Sequence, residues 1–149
     1  MDKLERIRDR VKTAKDQVGR IMKEIIEENE AFIIDANAYF QLEQKGVNKL
    51  GIEISEYAPY AADTVWRKLA KGQPTDRVTL KDTGDFHSSF YVVVDEEGFE
   101  IMASDEKTEA LVAKYGKDIF GLTDEHMKIL VEDYIKPELV NKLLEYIDG

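Results

Sequence analysis

His87 and His126 are the only two histidines in the chain, and His87 stands in the company a hydrolase would want. Asp85 lies two residues before it, and Ser88 and Ser89 follow directly. A Ser–His–Asp relay needs those groups to converge from separate elements beside an oxyanion hole. Neighbours along one short helix point in different directions, so the spacing predicts a partly exposed structural histidine. Just upstream, Asp82-Thr83-Gly84 has the order of the aspartic-protease triplet, in which two such aspartates share a proton. It occurs once, and a dimer would have to supply the second copy. The residues that follow, Asp85-Phe86-His87-Ser88, read instead as a helix start, with Asp82 as N-cap and Asp85 in the first turn.

Other chemistries find less. Asp105, Glu106 and Glu109 lack the alternating ligands and central glycine of a calcium loop, and Glu27, Glu28 and Glu30 read as a solvated face. The chain has no cysteine, which excludes disulfides and thiolate metal sites. Neither GxGxxG nor GxxxxGK[ST] is present to cradle a phosphate. Trp66, Tyr57, Tyr60 and Tyr91 have little positive charge around them, so they read as core or interface anchors rather than stacking platforms for bases. The expectation is no catalytic, cofactor-binding or metal-binding residue and no cofactor: a non-catalytic building block.

The elements that would position these residues are legible to different degrees. Leu4, Ile7, Val11, Ala14, Val18, Ile21 and Ile25 recur at spacings of three and four, which predicts one amphipathic helix over 1–29. Its stripe either crosses its own domain or buries against a neighbouring subunit, so Leu4, Ile7, Val11, Val18, Ile21 and Ile25 are interface candidates. An α+β domain with a C-terminal helical segment is expected over 30–149. AFIID at 31–35 suits a strand, ANAYFQLEQK a short helix ended by Gly46, and Ile52–Ile54 a second strand. Pro59 precedes a helix carrying Val65, Trp66 and Leu69 and stopped by Gly72, with QPTD as a loop. Phe90–Asp95 and Phe99–Ser104 form the clearest pattern, a β-hairpin around a three-residue Glu96-Glu97-Gly98 loop. KTEALVAKYG predicts a helix closed by Gly116. Thr123 caps a last helix with Asp124 and Glu125 in its first turn and Leu130, Val131, Tyr134 and Ile135 on its apolar face. Pro137 is expected to break or kink it and to start a further helix bearing Leu139, Val140, Leu143, Leu144 and Ile147. The class is α+β: a small, mainly antiparallel sheet with a central hairpin, flanked by helices.

Composition bounds the function. At 149 residues, 43% hydrophobic and 35% charged, the chain suits one folded domain. The net charge of −10 is uneven: residues 1–30 balance eight basic with eight acidic side chains, whereas residues 95–149 carry six basic against fifteen acidic. Sequence-specific DNA binding draws on basic residues and is not expected. A charged N-terminus and the lack of a long apolar run predict a protein of the cytoplasm, without signal peptide or membrane span.

One ordered set of residues resembles a known family. Leu80, Thr83, Gly84, Phe86 and Ser89, then the hairpin FYVVVDEEGFEIMAS, then Tyr115 and Gly116, then Ile119-Phe120-Gly121-Leu122-Thr123 follow the order and spacing found in tailed-phage morphogenesis proteins. The likeness spans about residues 79–125 and is to the tail-completion and head–tail connector group. The block KGQPTDRVTLKDTGDFHSSF also looks like versions found in phages and prophages of Bacteroides-type gut bacteria. Where many relatives carry a proline–arginine pair before the final turn, this chain has Gly116-Lys117-Asp118-Ile119. The resemblance implies a virion subunit, made in the host cytoplasm. It would form a homo-oligomeric ring at the head–tail junction or tail end, contact other neck or tail proteins and let DNA pass through its lumen. Two other readings remain: an acidic regulator or inhibitor that covers a basic partner surface, and a hydrolase built on Asp82 or His87.

Overall fold

The amphipathic N-terminal segment folds as two helices, α1 (Lys3–Asp16) and α2 (Val18–Glu28), in a computed structural model that describes residues 2–95 and 97–148. A reciprocal capping box starts α1: the Asp2 carboxylate accepts from the Glu5 N–H at 2.8 Å, and the Glu5 carboxylate accepts from the Asp2 N–H at 3.0 Å. The expected single helix is interrupted at Gln17, and burial along its stripe rises through α1 into α2. Leu4 is 73% exposed and Ile7 39%, whereas Ala14, Ile21 and Ile25 are buried. Ile21 and Ile25 are therefore corrected from interface candidates to core residues. Their neighbour Ile26 widens the apolar face of α2 until it fits between other elements of the same chain. Ile21, Ile25 and Ile26 share one core with Ile33, Leu42 and Leu130, so α2 and the segment after residue 29 bury a common interior.

AFIID is helical, not extended. It forms α3 (Glu30–Ile34), which runs on as a π-helical stretch over Asp35–Lys45. A five-residue apolar run does not distinguish strand from buried helix. Packing decides it: Ile33 is fully buried, and the Phe32 ring stacks on Tyr134 with centroids 4.5 Å apart. Gly46 ends the stretch as expected, at φ 64°. A β-carbon there would meet the Arg77 Cβ at 2.8 Å and the Val78 carbonyl oxygen at 3.0 Å, so glycine serves both the turn and the close approach.

Ile52–Ile54 is likewise not a strand. One bridge joins Val47 to Glu53, and Ile54–Glu56 is a turn of 3₁₀ helix. The Asn48 carboxamide oxygen accepts from the Leu50 and Ile52 N–H groups and draws the backbone into a tight loop. α4 (Ala62–Ala70) follows, with Gly72 at φ 70° just beyond it.

The sheet is an antiparallel hairpin of β1 (Phe90–Asp95) and β2 (Gly98–Ala103). Asp95 pairs with Gly98, so Gly98 belongs to β2 and not to the loop, while Glu96 lies outside the described residues. The Asp95 carboxylate tightens the turn by accepting from the Glu97 and Gly98 N–H groups. Val92, Val94, Phe99 and Ile101 turn towards the core, while Tyr91, Val93 and Met102 face out, the period-2 division of a half-buried sheet. Helices surround the hairpin, and the class is α+β with a small sheet.

α6 (Thr108–Tyr115) ends at Gly116, at φ 85°. The chain then closes on α7 (Asp124–Ile129), a π-helical stretch at Leu130–Ile135, and α8 (Lys136–Asp148). Pro137 was expected to break or kink the helix or to open a new one. The chain stays helical from Asp124 to Asp148, unbroken at Pro137, which is the second residue of the further α-helix, α8. Proline cannot donate to the preceding turn and crowds the carbonyl four residues back. The widened turn directly before Pro137 accommodates both. No helix among the described residues is long and apolar enough to cross a membrane.

Candidate functional site

The motif residues meet on the core side of the hairpin. α5 (Asp85–Ser88) begins at Gly84, φ 94°, which occupies the N-cap position. Asp82 is thus corrected from N-cap to surface ion-pair partner: its carboxylate is engaged by the Lys71 ammonium, which holds its pKa below the usual carboxylate range. The N–H of Asp85 donates to the Thr83 hydroxyl at 3.3 Å. Phe86 is buried, with its ring edge-on to Phe90 at 5.0 Å and tilted against Phe120 at 5.9 Å; Phe90 and Phe120 lie 5.2 Å apart. Three mutually packed rings of this kind anchor both ends of the motif to the hairpin. Ser89 ties the end of β2 to α5: its hydroxyl donates to the Phe86 carbonyl at 2.8 Å and accepts from the Asp105 N–H at 3.0 Å. Tyr115 is buried, and its carbonyl accepts from the Tyr57 hydroxyl at 2.9 Å.

The loop from Ile119 to Thr123 is held by two residues that sequence reasoning missed, Asn37 and Gln41 on the π-helical stretch. Both are fully buried. Asn37 donates to the Ile119 carbonyl at 2.9 Å and accepts from the Gly121 N–H at 3.0 Å. Gln41 donates to the Gly121 carbonyl at 2.8 Å, while its oxygen accepts from the Thr123 N–H at 2.9 Å and from His126 Nδ1 at 2.8 Å. Every polar side-chain atom of the two amides thus has a partner, as burial demands. A β-carbon on Gly121, at φ 131°, would lie 2.7 Å from the Lys49 Cδ. The only local sign of this clasp is two carboxamides four residues apart in an otherwise mainly apolar helical segment. Thr123 caps α7 as expected, accepting from the His126 N–H at 3.3 Å.

His87 is half-buried beside this cluster, the partly exposed structural histidine that its spacing predicts. Its Nε2 lies 2.9 Å from the Thr79 carbonyl, which can only accept, so the neutral ring carries its proton on Nε2. Burial pushes its pKa below the ordinary histidine value, against that hydrogen bond and the nearby Glu43. Among the described residues no hydroxyl or carboxylate hydrogen-bonds to the ring, and Ser88 and Ser89 donate to backbone carbonyls. The hydroxyl of buried Thr79 accepts from the Lys81 N–H, and its own N–H donates to the Tyr60 hydroxyl. Between them Leu80 adopts φ 58°, left-handed backbone that a leucine holds only when its surroundings fix it.

Other sequence candidates are dispersed. Leu4 and Ile7 lie exposed on α1, and Val11 and Val18 are half-buried. Trp66 is not a core anchor, being 72% exposed on α4. No group of three or more His, Asp or Glu side chains among the described residues is placed to hold a metal ion. The arrangement around Phe86, Phe120 and Gly121 couples a loop, a hairpin and a helix mechanically, and its polar groups are turned inward to one another. No protein-family model matches the chain, and no curated protein or solved structure matches it.

Proposed function

We propose that the chain is a structural subunit of a tailed-phage virion, forming an oligomeric ring at the head–tail junction or the tail end. The resemblance of residues 79–125 to tail-completion and head–tail connector proteins supplies the class. The observation that carries the reading is that Thr83, Phe86, Ser89, Tyr115, Phe120 and Gly121 take up packing, turn and clasp positions, while large apolar side chains stay outside. Leu4, Trp66 and Leu69, with Val140 and Leu144 on one face of α8, are all exposed, the surface expected of a chain that completes its burial in an assembly. The same division supports a non-catalytic reading, in which the buried amides of Asn37 and Gln41 serve to clasp a loop.

Mass spectrometry of purified particles tests the proposal. The chain is expected at a fixed ratio to the portal protein in every preparation, and its recovery solely in the soluble fraction of lysed host cells overturns the reading. That second result would favour an acidic regulator, for which the fifteen acidic side chains against six basic ones in residues 95–149 speak. Such a regulator would bind a basic partner with strong salt dependence.

A further inference from the structure

Lys68 of α4 is the one charged residue that is buried among the described residues, at 8% exposure. Its ammonium donates to the Lys81 carbonyl at 2.8 Å and lies 4.9 Å from the centre of the Tyr60 ring. Among the described residues no carboxylate pairs with it, although the chain has 31 acidic residues against 21 basic ones. An ammonium taken out of water is costly unless it is paired. A carbonyl and a ring face offer it partial charges only, and one carbonyl does not use its three donors.

That ammonium belongs to the lining of an open cleft of about 190 Å³ between α4, the turn at residues 80–84 and α6. Leu80, Phe86, Leu111 and Tyr115 give the cleft apolar walls. Its charged lining residues are Lys68, Lys81, Lys107 and Asp82. Glu43 holds Lys81 at 2.8 Å, and Lys71 holds Asp82. The charges left over in the lining, those of Lys68 and Lys107, are both positive. Asp82 registers that field: Lys71 foremost, then Lys107 and Lys68, draw its pKa down. The turn that presents the Lys81 carbonyl is also the one that keeps Leu80 at φ 58°, a backbone state that persists where its surroundings fix it.

These features select a ligand class. Lys107 is exposed and keeps its water, so one buried positive charge lacks compensation, and a monoanion supplies it. The apolar walls favour a body that gains by leaving water. Drug-sized sites measure about 300–1,000 Å³, so this smaller cleft limits that body to about one ring. We propose that the cleft binds a small organic carboxylate, its head group on the Lys68 ammonium and its ring or branched alkyl body between Leu80, Phe86, Leu111 and Tyr115. The site is separate from any contact between copies of the chain and does not depend on the virion reading.

Benzoate is the probe, titrated into isotope-labelled protein while amide resonances are followed by NMR. Those of Lys81, Thr83 and Gly84, which line the cleft, are expected to shift and saturate. Benzyl alcohol, with the same ring and no charge, is expected to leave them in place at the same concentrations. Lys68→Met keeps the length of the side chain and is expected to weaken benzoate binding by about tenfold or more, the loss of a charge-assisted hydrogen bond. Circular dichroism establishes that this variant is folded. Shifts that never saturate or that spread over surface lysines elsewhere, an equal response to benzyl alcohol, or a folded Lys68→Met variant that binds as the unaltered chain does each overturn the proposal. Tighter binding of phenyl phosphate than of benzoate overturns the carboxylate class. Should Lys68→Met not fold, the comparison of benzoate with benzyl alcohol on the unaltered chain decides alone.

Discussion

Asn37 joins the first third of the chain to a loop more than eighty residues later with two hydrogen bonds, and among the described residues no other side chain pairs the two groups it holds. Asn37→Ala leaves the Ile119 carbonyl and the Gly121 N–H unpaired beside a fully buried position. An unsatisfied buried group costs about 1–3 kcal/mol, so the variant is expected to lose about 2–4 kcal/mol of stability in urea denaturation. A loss under about 0.5 kcal/mol would mean that water takes the amide's place. His87 gives the molecule a pH dependence of definite sign. Burial holds the folded-state pKa below that of the unfolded chain, which protonates near about 6.5. Between the two values the unfolded state binds more protons, so stability is full above about pH 6.5 and declines as pH falls towards the folded pKa. His87→Gln is expected to flatten that decline in unfolding curves measured from pH 7.5 to 5, leaving the part due to His126, whose pKa is also lowered by burial. A decline as steep as that of the unaltered chain would assign it elsewhere.

At the scale of elements, α1 and α2 share one sequence pattern and differ in what they do for the fold. Ile7 is exposed and Ile21 buried. Ile7→Asp is therefore expected to change the monomer's unfolding free energy by no more than about 0.5 kcal/mol, whereas Ile21→Asp puts a carboxylate in the core and should abolish cooperative unfolding. Equal losses from both would make α1 part of the monomer's interior. Periodicity alone could not separate the two, because the same spacing serves a core and an interface. The hairpin was legible because its alternation is local, and Thr123 because its cap reaches three residues. The helical state of Phe32 and Ile33 was not, since it depends on stacking against Tyr134, about a hundred residues away. Asn37 and Gln41 were hidden for the same reason: their partners lie 80 to 85 residues downstream.

Charge is unevenly spread along the chain, with a basic α1 at one end of the sequence and an acidic stretch towards the other. The whole molecule also divides into parts whose length matters and parts where it does not. A π-helical turn holds one residue more than an α-helical turn, and such a stretch sits at Leu130–Ile135, directly before the last helix. Loss of one residue there lets the turn tighten to α geometry while Leu139, Leu143 and Tyr146 keep facing the core. The same loss within α2 rotates everything beyond it by about 100° and takes Ile25 and Ile26 off their packing. In the descent of this chain, insertions and deletions in the C-terminal half therefore belong in the wide turn, and the inherited spacing of α2 is fixed to the residue.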